Sequence, residues 1–301
     1  PEEKRLHMRA IGPVWDGNEV WLLTAGGALF AAFPSVYATV FSGFYLALML
    51  VLLALILRAV SLEFYSKVDS AGWRSVWMLC FGVGSLLPAI LFGVAFGNIL
   101  RGIPITQEGQ FAGSFIGLLN PYALLIGVLS LFMFVMHGAA YMATKTDGEL
   151  RERMGGWAGR AWLGMAVCYV AATFFTMRVN PILFEGLLSK PLFYLVLVPL
   201  VVSIPCVPAM LRSQRWGMAF LASCVLILCM IGMAGVSMFP RLVPSTVSID
   251  YSLTAYNASS TQRTLGVMLI IALIGMPLVI LYTAVIYWIF RGKVKVEGEG
   301  Y

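Results

Sequence analysis

Eight apolar runs, each long enough to cross a bilayer as a helix, leave this chain little choice of fold. They lie at Asp16–Phe33, Val36–Leu57, Arg74–Asn98, Pro121–Met142, Gly159–Arg178, Pro191–Leu211, Trp216–Phe239 and Leu265–Phe290. About 20 residues at 1.5 Å each cover the roughly 30 Å hydrocarbon core. With 60% hydrophobic and 11% charged residues and a mean hydropathy of +0.89, an ordinary soluble domain is excluded. The expected fold is all-α: a polytopic membrane helix bundle of eight transmembrane helices, with residues 1–301 as a single transmembrane domain.

The connections between the runs add detail. Pro34–Ser35 is short enough to make the first two helices an antiparallel hairpin. Arg58–Trp73 is polar, Ile99–Asn120 is a loop, and Lys145–Arg160 is the most charged loop. Residues 239–263, rich in Ser, Thr, Asn and Pro, form a long external loop able to lie over the bundle. Pro199, Pro205 and Pro208 predict a kink in the sixth span, because proline removes a backbone donor. Gly93 and Gly97 form a GxxxG packing signal, whereas Gly82-Val83-Gly84 lacks the third glycine and the strand of a dinucleotide loop. An even number of spans puts both termini on one side. Of the 20 basic residues, only Arg101, Arg178, Lys190, Arg241 and Arg263 fall on the other side, which orients both ends, the C-terminus included, into the cytoplasm. The net charge of +6 then reflects membrane orientation and not nucleic acid. Cys80, Cys168, Cys206, Cys224 and Cys229 sit in apolar runs without a CxxC pair and read as small buried apolar residues.

Chemistry concentrates at the start of the first run. Asp16 and Glu19, three residues apart, share one helix face at or just inside the cytoplasmic surface. An ionised carboxylate deeper in the bilayer costs roughly 2.5–3.5 kcal/mol, so acids there face protein or water. The positive end of the helix dipole eases the charge, while burial and mutual repulsion favour taking up a proton. The pair is therefore suited to proton exchange. A plainer reading, in which Asp16 caps the helix and Glu19 is a first-turn acid, stands beside it and does not exclude it. Trp15 and Trp21 flank the pair at headgroup level. Gly26, Gly27, Ala28, Ala31 and Ala32 form a smooth face beyond it, which predicts a helix buried among helices.

His137 is the one histidine in a span. With only His7 beside it in the sequence and no second ligand of suitable spacing, a hydrogen bond to a neighbouring helix or partner chain is expected in place of iron ligation. The 16 methionines scatter as flexible core packing. No HExxH motif, Walker loop or serine elbow is present. Two function classes remain: a subunit of a larger machine, or a proton-coupled secondary transporter. The apolar span centres weigh against the second, which gathers polar groups near the midplane.

The stretch Gly12-Pro13-Val14-Trp15-Asp16-Gly17-Asn18-Glu19-Val20-Trp21-Leu22, continued by Thr24-Ala25-Gly26-Gly27-Ala28-Leu29-Phe30-Ala31-Ala32-Phe33-Pro34, closely resembles the signature of subunit II of the cytochrome bd-type quinol oxidases, including the cyanide-insensitive branch. Phe41-Ser42-Gly43-Phe44-Tyr45, Gly93-Val94-Ala95-Phe96-Gly97-Asn98, Leu119-Asn120-Pro121, His137-Gly138-Ala139 with Lys145-Thr146 and Gly148-Glu149-Leu150, and Met238-Phe239-Pro240 with Pro244-Ser245 match in order. The resemblance implies oxidation of quinol coupled to reduction of dioxygen to water, in a bacterial inner membrane, with protons drawn from the cytoplasm. It implies that haem b and haem d, or its b-type replacement, lie on subunit I with the quinol site. This chain would bind no cofactor or metal, contribute no catalytic residue, and pack beside subunit I as a pseudosymmetric partner. Small single-helix accessory subunits and membrane lipid are further implied neighbours. By motif position, Asp16 is the acid of a cytoplasmic proton inlet, with Glu19 beside it where some relatives have glutamine. Trp21 would border an approach for dioxygen, and Trp15, Gly26, Gly27 and His137 would serve packing and the subunit interface. Family members begin with a further apolar helix carrying an acidic glycine-rich motif. With that helix the bundle would have nine spans and an external N-terminus.

Overall fold

In the computed structural model, which describes residues 2–294, ten α-helices are formed among the described residues. They are α1 (Glu2–Ile11), α2 (Trp15–Ala32), α3 (Pro34–Gly43), α4 (Tyr45–Phe64), α5 (Ala71–Arg101), α6 (Pro121–Lys145), α7 (Gly148–Val179), α8 (Pro191–Arg212), α9 (Trp216–Met238) and α10 (Gln262–Ile289). Seven of them, α4 to α10, are long and apolar enough to cross a membrane. The helix expected as the first span, α2, is 18 residues long, so its one helix-length window must include Asp16, Asn18 and Glu19, and it is not among the seven. Lys295, one of the basic residues counted above, lies outside the described residues.

Two expected boundaries move. The run Val36–Leu57 is divided at Phe44, and α4 continues past Leu57 to Phe64, so Arg58 is a helical residue and not the start of a polar connection. The turn before it is a single residue, Phe33, followed by Pro34 at the first position of α3, where its missing N–H has no partner to lose. The segment Lys145–Arg160 is not a loop beyond Asp147. Extended Asp147 precedes α7, Glu149 suits the positive end of its first turn, and Arg151 reaches back to Asp147 at 2.5 Å. Its charge hid a helix because the first turns stand clear of the apolar stretch. Arg153 pairs with Glu3 at 2.5 Å and Tyr141 Oη donates to the Ala10 carbonyl at 3.0 Å, which lays α1 across this end of the bundle.

The core is organised on α6, which packs against α5, α7 and α9, while α7–α8 and α8–α9 contacts close a four-helix group. Gly93 and Gly97 let α5 approach it. A Cβ at Gly93 would stand 2.6 Å from the Ile126 carbonyl oxygen, and one at Gly97 2.9 Å from Ala123 Cα. At the end of α5, Asn98 Nδ2 donates to the Leu118 carbonyl at 2.7 Å, and Asn120 Nδ2 donates to Asn98 Oδ1 at 2.9 Å. Asn120 Oδ1 also accepts from the Ala123 N–H at 3.0 Å, so one amide caps α6 and ties it to α5.

The kink predicted for the sixth span does not interrupt the helix: α8 runs from Pro191 to Arg212 through all three prolines. Pro208 leaves the Ile204 carbonyl without its in-helix donor, and Trp162 Nε1 of α7 fills that place at 2.9 Å. Trp162→Phe keeps the ring and removes the donor. It is expected to lower stability by about 1 kcal/mol, the low end of the cost of orphaning a carbonyl, since this one is part-buried, read as a lower melting temperature of the purified assembly.

At the end of the bundle away from Asp16, the loops after α5 and α9 knit together. β1 (Arg241–Val243) pairs antiparallel with β2 (Leu253–Thr254), and the Ile103 N–H donates to the Pro244 carbonyl at 3.0 Å. Ile103, Ile105 and Val243 are buried beneath.

Candidate functional site

Helix α2 begins with Val14 in the N-cap position and no side-chain cap. Asp16 therefore does not cap the helix; it lies within the first turn, exposed, where the unsatisfied N–H groups make the field positive. Glu19, one turn further in, is half-buried and faces Arg58 of α4, with Nη2 3.5 Å from Oε1 and side chains 26% and 22% exposed. Sequence reading had placed Arg58 in a connection. The available signal was the apolar run Ala59, Val60 and Leu62 beyond it, which keeps the helix going. On the adjacent residue, Asn18 Nδ2 donates to Tyr287 Oη of α10 at 3.3 Å. Two consecutive residues of α2 are thus held by two different helices. Both Glu19 Oε1 and Arg58 Nε are buried without a hydrogen-bond partner.

The smooth face of α2 is not covered by this chain. None of its residues is buried, a Cβ at Gly27 would meet nothing within 4 Å, and one at Gly26 would meet only the Phe41 ring at 3.8 Å. The expected helix buried among helices does not find its cover within this chain. The reason is that α2 is pinned at its ends: by Asn18 and Glu19 at one, and at the other by Ser260, whose Oγ donates to the Ala31 carbonyl at 2.6 Å and N–H to that of Ala32 at 2.8 Å. Trp21 is exposed and Trp15 half-buried. Helix α10 also has no buried residue. Its C-terminal end is held by Lys145 Nζ donating to the Phe290 carbonyl, the Val294 N–H donating to the Lys145 carbonyl at 2.9 Å, and Lys293 Nζ donating to Asp147 at 2.5 Å. That bond from Lys293, with Arg151 adjacent, holds the Asp147 carboxyl below the usual carboxylate range.

His137 lies between α6 and α9. Its Nδ1 lies 2.8 Å from Ser223 Oγ, and that hydroxyl is also 2.6 Å from the Phe220 carbonyl oxygen. The imidazole stacks on Phe220 with centroids 4.7 Å apart. Among the described residues, no group of three or more His, Cys, Asp and Glu side chains is placed to hold a metal ion. A second polar concentration, a hollow of about 450 Å³ lined by Ser35, Thr39, Ser42, Glu108, Asp250 and Asn257, lies at the opposite end. Both of its carboxylates are exposed, so it has no counterpart to the half-buried pair on α2.

Comparison with known proteins gives a consistent picture. A family model described as cytochrome bd terminal oxidase subunit II matches residues 1–290. The chain is 38% identical to the cytochrome bd-I ubiquinol oxidase subunit 2 of Escherichia coli K12, covering 98% of this chain and 86% of that protein. It is 35% identical to the cytochrome bd ubiquinol oxidase subunit 2 of Bacillus subtilis, covering 97% and 86%. Its fold is similar to a chain in the structure of bd oxidase from Geobacillus thermodenitrificans, with a TM-score of 0.77 at 18% identity, over 96% of this chain and 87% of that one.

Proposed function

This chain belongs to the cytochrome bd terminal oxidase subunit II family, and on that premise we propose that it is the haem-free half of the oxidase, steadying the haem-bearing subunit I and admitting protons to it. The chain is a subunit of a membrane quinol oxidase complex that reduces dioxygen. The haems of that complex supply the electron transfer and dioxygen chemistry. In this reading His137 serves packing between α6 and α9, its Nδ1 2.8 Å from Ser223 Oγ and its ring stacked on Phe220.

The observation that carries the proton reading is the start of α2. Exposed Asp16 is free to take a proton from water at the positive end of the helix, and Glu19 stands one turn inward on the same face, about 5–6 Å away between Cβ atoms. In this reading α2 also crosses the membrane, bringing the seven spans to eight; the C-terminus is cytoplasmic in a bacterial inner membrane, and Asp16 lies at the cytoplasmic surface. The unburied faces of α2, with Gly26 and Gly27, and of α10 are covered by subunit I, with Trp21 bordering an apolar approach for dioxygen. Accessory single-helix subunits and lipid take the remaining apolar surface. The transporter alternative is not favoured, since the relatives are oxidase subunits.

Absorption spectra test the division of labour. The co-purified complex is expected to show its full haem complement and the chain produced alone none. A haem band that stays with the isolated chain would overturn the haem-free assignment.

A further inference from the structure

We propose that Arg58 is a positioning residue of the proton inlet: it acts through Glu19, favouring the carboxylate form that accepts the proton Asp16 collects. The inference rests on the proton reading above and assigns a role to a helix, α4, outside the motif that carries it.

The geometry of the pair is unlike that of a structural salt bridge. A two-point contact between guanidinium and carboxylate fills the acceptor sites of both oxygens and fixes the charge. Here a single Nη2–Oε1 approach of 3.5 Å is not closed by a hydrogen bond, and both Glu19 Oε1 and Arg58 Nε are buried with no partner. The opposite charge nearby offsets part of the membrane penalty on an ionised Glu19, yet the carboxylate retains open acceptor sites. That is the condition for a group that must bind a proton and then release it.

The surroundings are few. Among the described residues, the charges acting on Glu19 are Arg58 on α4 and Asp16 on its own helix, while the adjacent Asn18 meets Tyr287 on α10. Helix α3 meets α2 at the far end, through the Phe30–Tyr37 ring contact. In the transfer, the O–H bond of a protonated Asp16 breaks and one forms at a Glu19 carboxylate oxygen, directly or through one water. Asp16 returns to its carboxylate form. The Arg58 charge is then uncompensated inside the bilayer, which favours handing the proton onward over retaining it.

The experiment compares Arg58→Lys, Arg58→Gln, Glu19→Gln and the double variant Glu19→Gln/Arg58→Gln in the whole complex, with haem absorption as the measure of assembly and the pH profile of quinol-driven oxygen consumption as the readout. Because the contact is single and not forked, Arg58→Lys is expected to retain the profile. Removing the guanidinium removes the charge that favours the carboxylate, so in Arg58→Gln the acid limb is expected to move to higher pH by about one unit or more. The double variant is expected to show the profile of Glu19→Gln, since Arg58 acts only through that carboxylate. An assembled Arg58→Gln complex with an unshifted profile would overturn the proposal. If Arg58→Gln does not assemble, the double variant decides: a profile equal to that of Glu19→Gln supports it, and further slowing overturns it. Asp16→Asn without effect, beside a shifted Arg58→Gln, would remove Asp16 as the inlet while leaving the Arg58–Glu19 coupling in place.

Discussion

Asp16→Asn is expected to slow quinol-driven oxygen consumption by about tenfold, which is 1.4 kcal/mol on the barrier, while the haem spectrum of the complex stays unchanged. A positioned acid–base group contributes more than this in an active site, but Glu19 remains one turn inward and still offers a carboxylate. The substitution removes a proton-binding group without removing a contact. Asp16 is exposed, and α2 stays anchored by Asn18 to Tyr287 and by Glu19 to Arg58. Its effect on stability is therefore expected to be within about 0.5 kcal/mol. An oxygen electrode trace recorded across pH with the assembled variant checks both parts. Turnover equal to that of the unmodified complex at every pH would remove Asp16 from the proton route.

Gly93→Val carries the largest expected loss of stability. At this position a Cβ alone would stand 2.5 Å from Ser130 Cβ, 2.6 Å from the Ile126 carbonyl oxygen and 2.8 Å from Gly127 Cα. Two of these are backbone atoms of α6, the helix on which α5, α7 and α9 all pack, so relief requires moving the centre of the bundle. A loss of about 3 kcal/mol or more, the upper part of the range for overpacked cores, should appear as failure to recover an assembled complex or as a sharply lowered melting temperature. Gly27→Val is the informative contrast. Among the described residues nothing lies within 4 Å of a Cβ there, so the fold is expected to tolerate it, and any loss is expected in retention of the haem-bearing subunit. Normal yield and melting of the Gly93→Val complex would show that α5 and α6 are not held as close as described.

Legibility followed the range of the interaction. The Gly93–Gly97 contact was readable because the two residues share one helix face, and a close approach needs small residues there. The divided second run was not. Apolarity continues without change from Val36 to Leu57, and the break at Phe44 follows Gly43, where a Cβ would come within 2.6 Å of the Phe111 ring. The first turns of α7 escaped notice for another reason: five charged residues between Glu149 and Arg160 mask the thin apolar stripe of Leu150, Met154 and Ala158. At the candidate site, Asp16 and Glu19 were readable from their spacing. Arg58 and Tyr287 were not, because neither belongs to the motif and each reaches α2 from a separate helix.

By itself the sequence determined an all-α membrane bundle, the placing of two carboxylates on one helix face, and a signature shared with one family of oxidase subunits. Each of these depends on local quantities: length against bilayer thickness, 3.6 residues per turn, and the order of side chains along a short stretch. Only the tertiary structure decided that Glu19 meets Arg58, that Trp162 donates to the carbonyl that Pro208 leaves without an in-helix donor, and that α2 keeps its smooth face outward. The physical reason is that such pairings depend on where helices far apart in the chain come to lie. Among apolar helices that is settled by close packing and by the few polar groups left in need of partners.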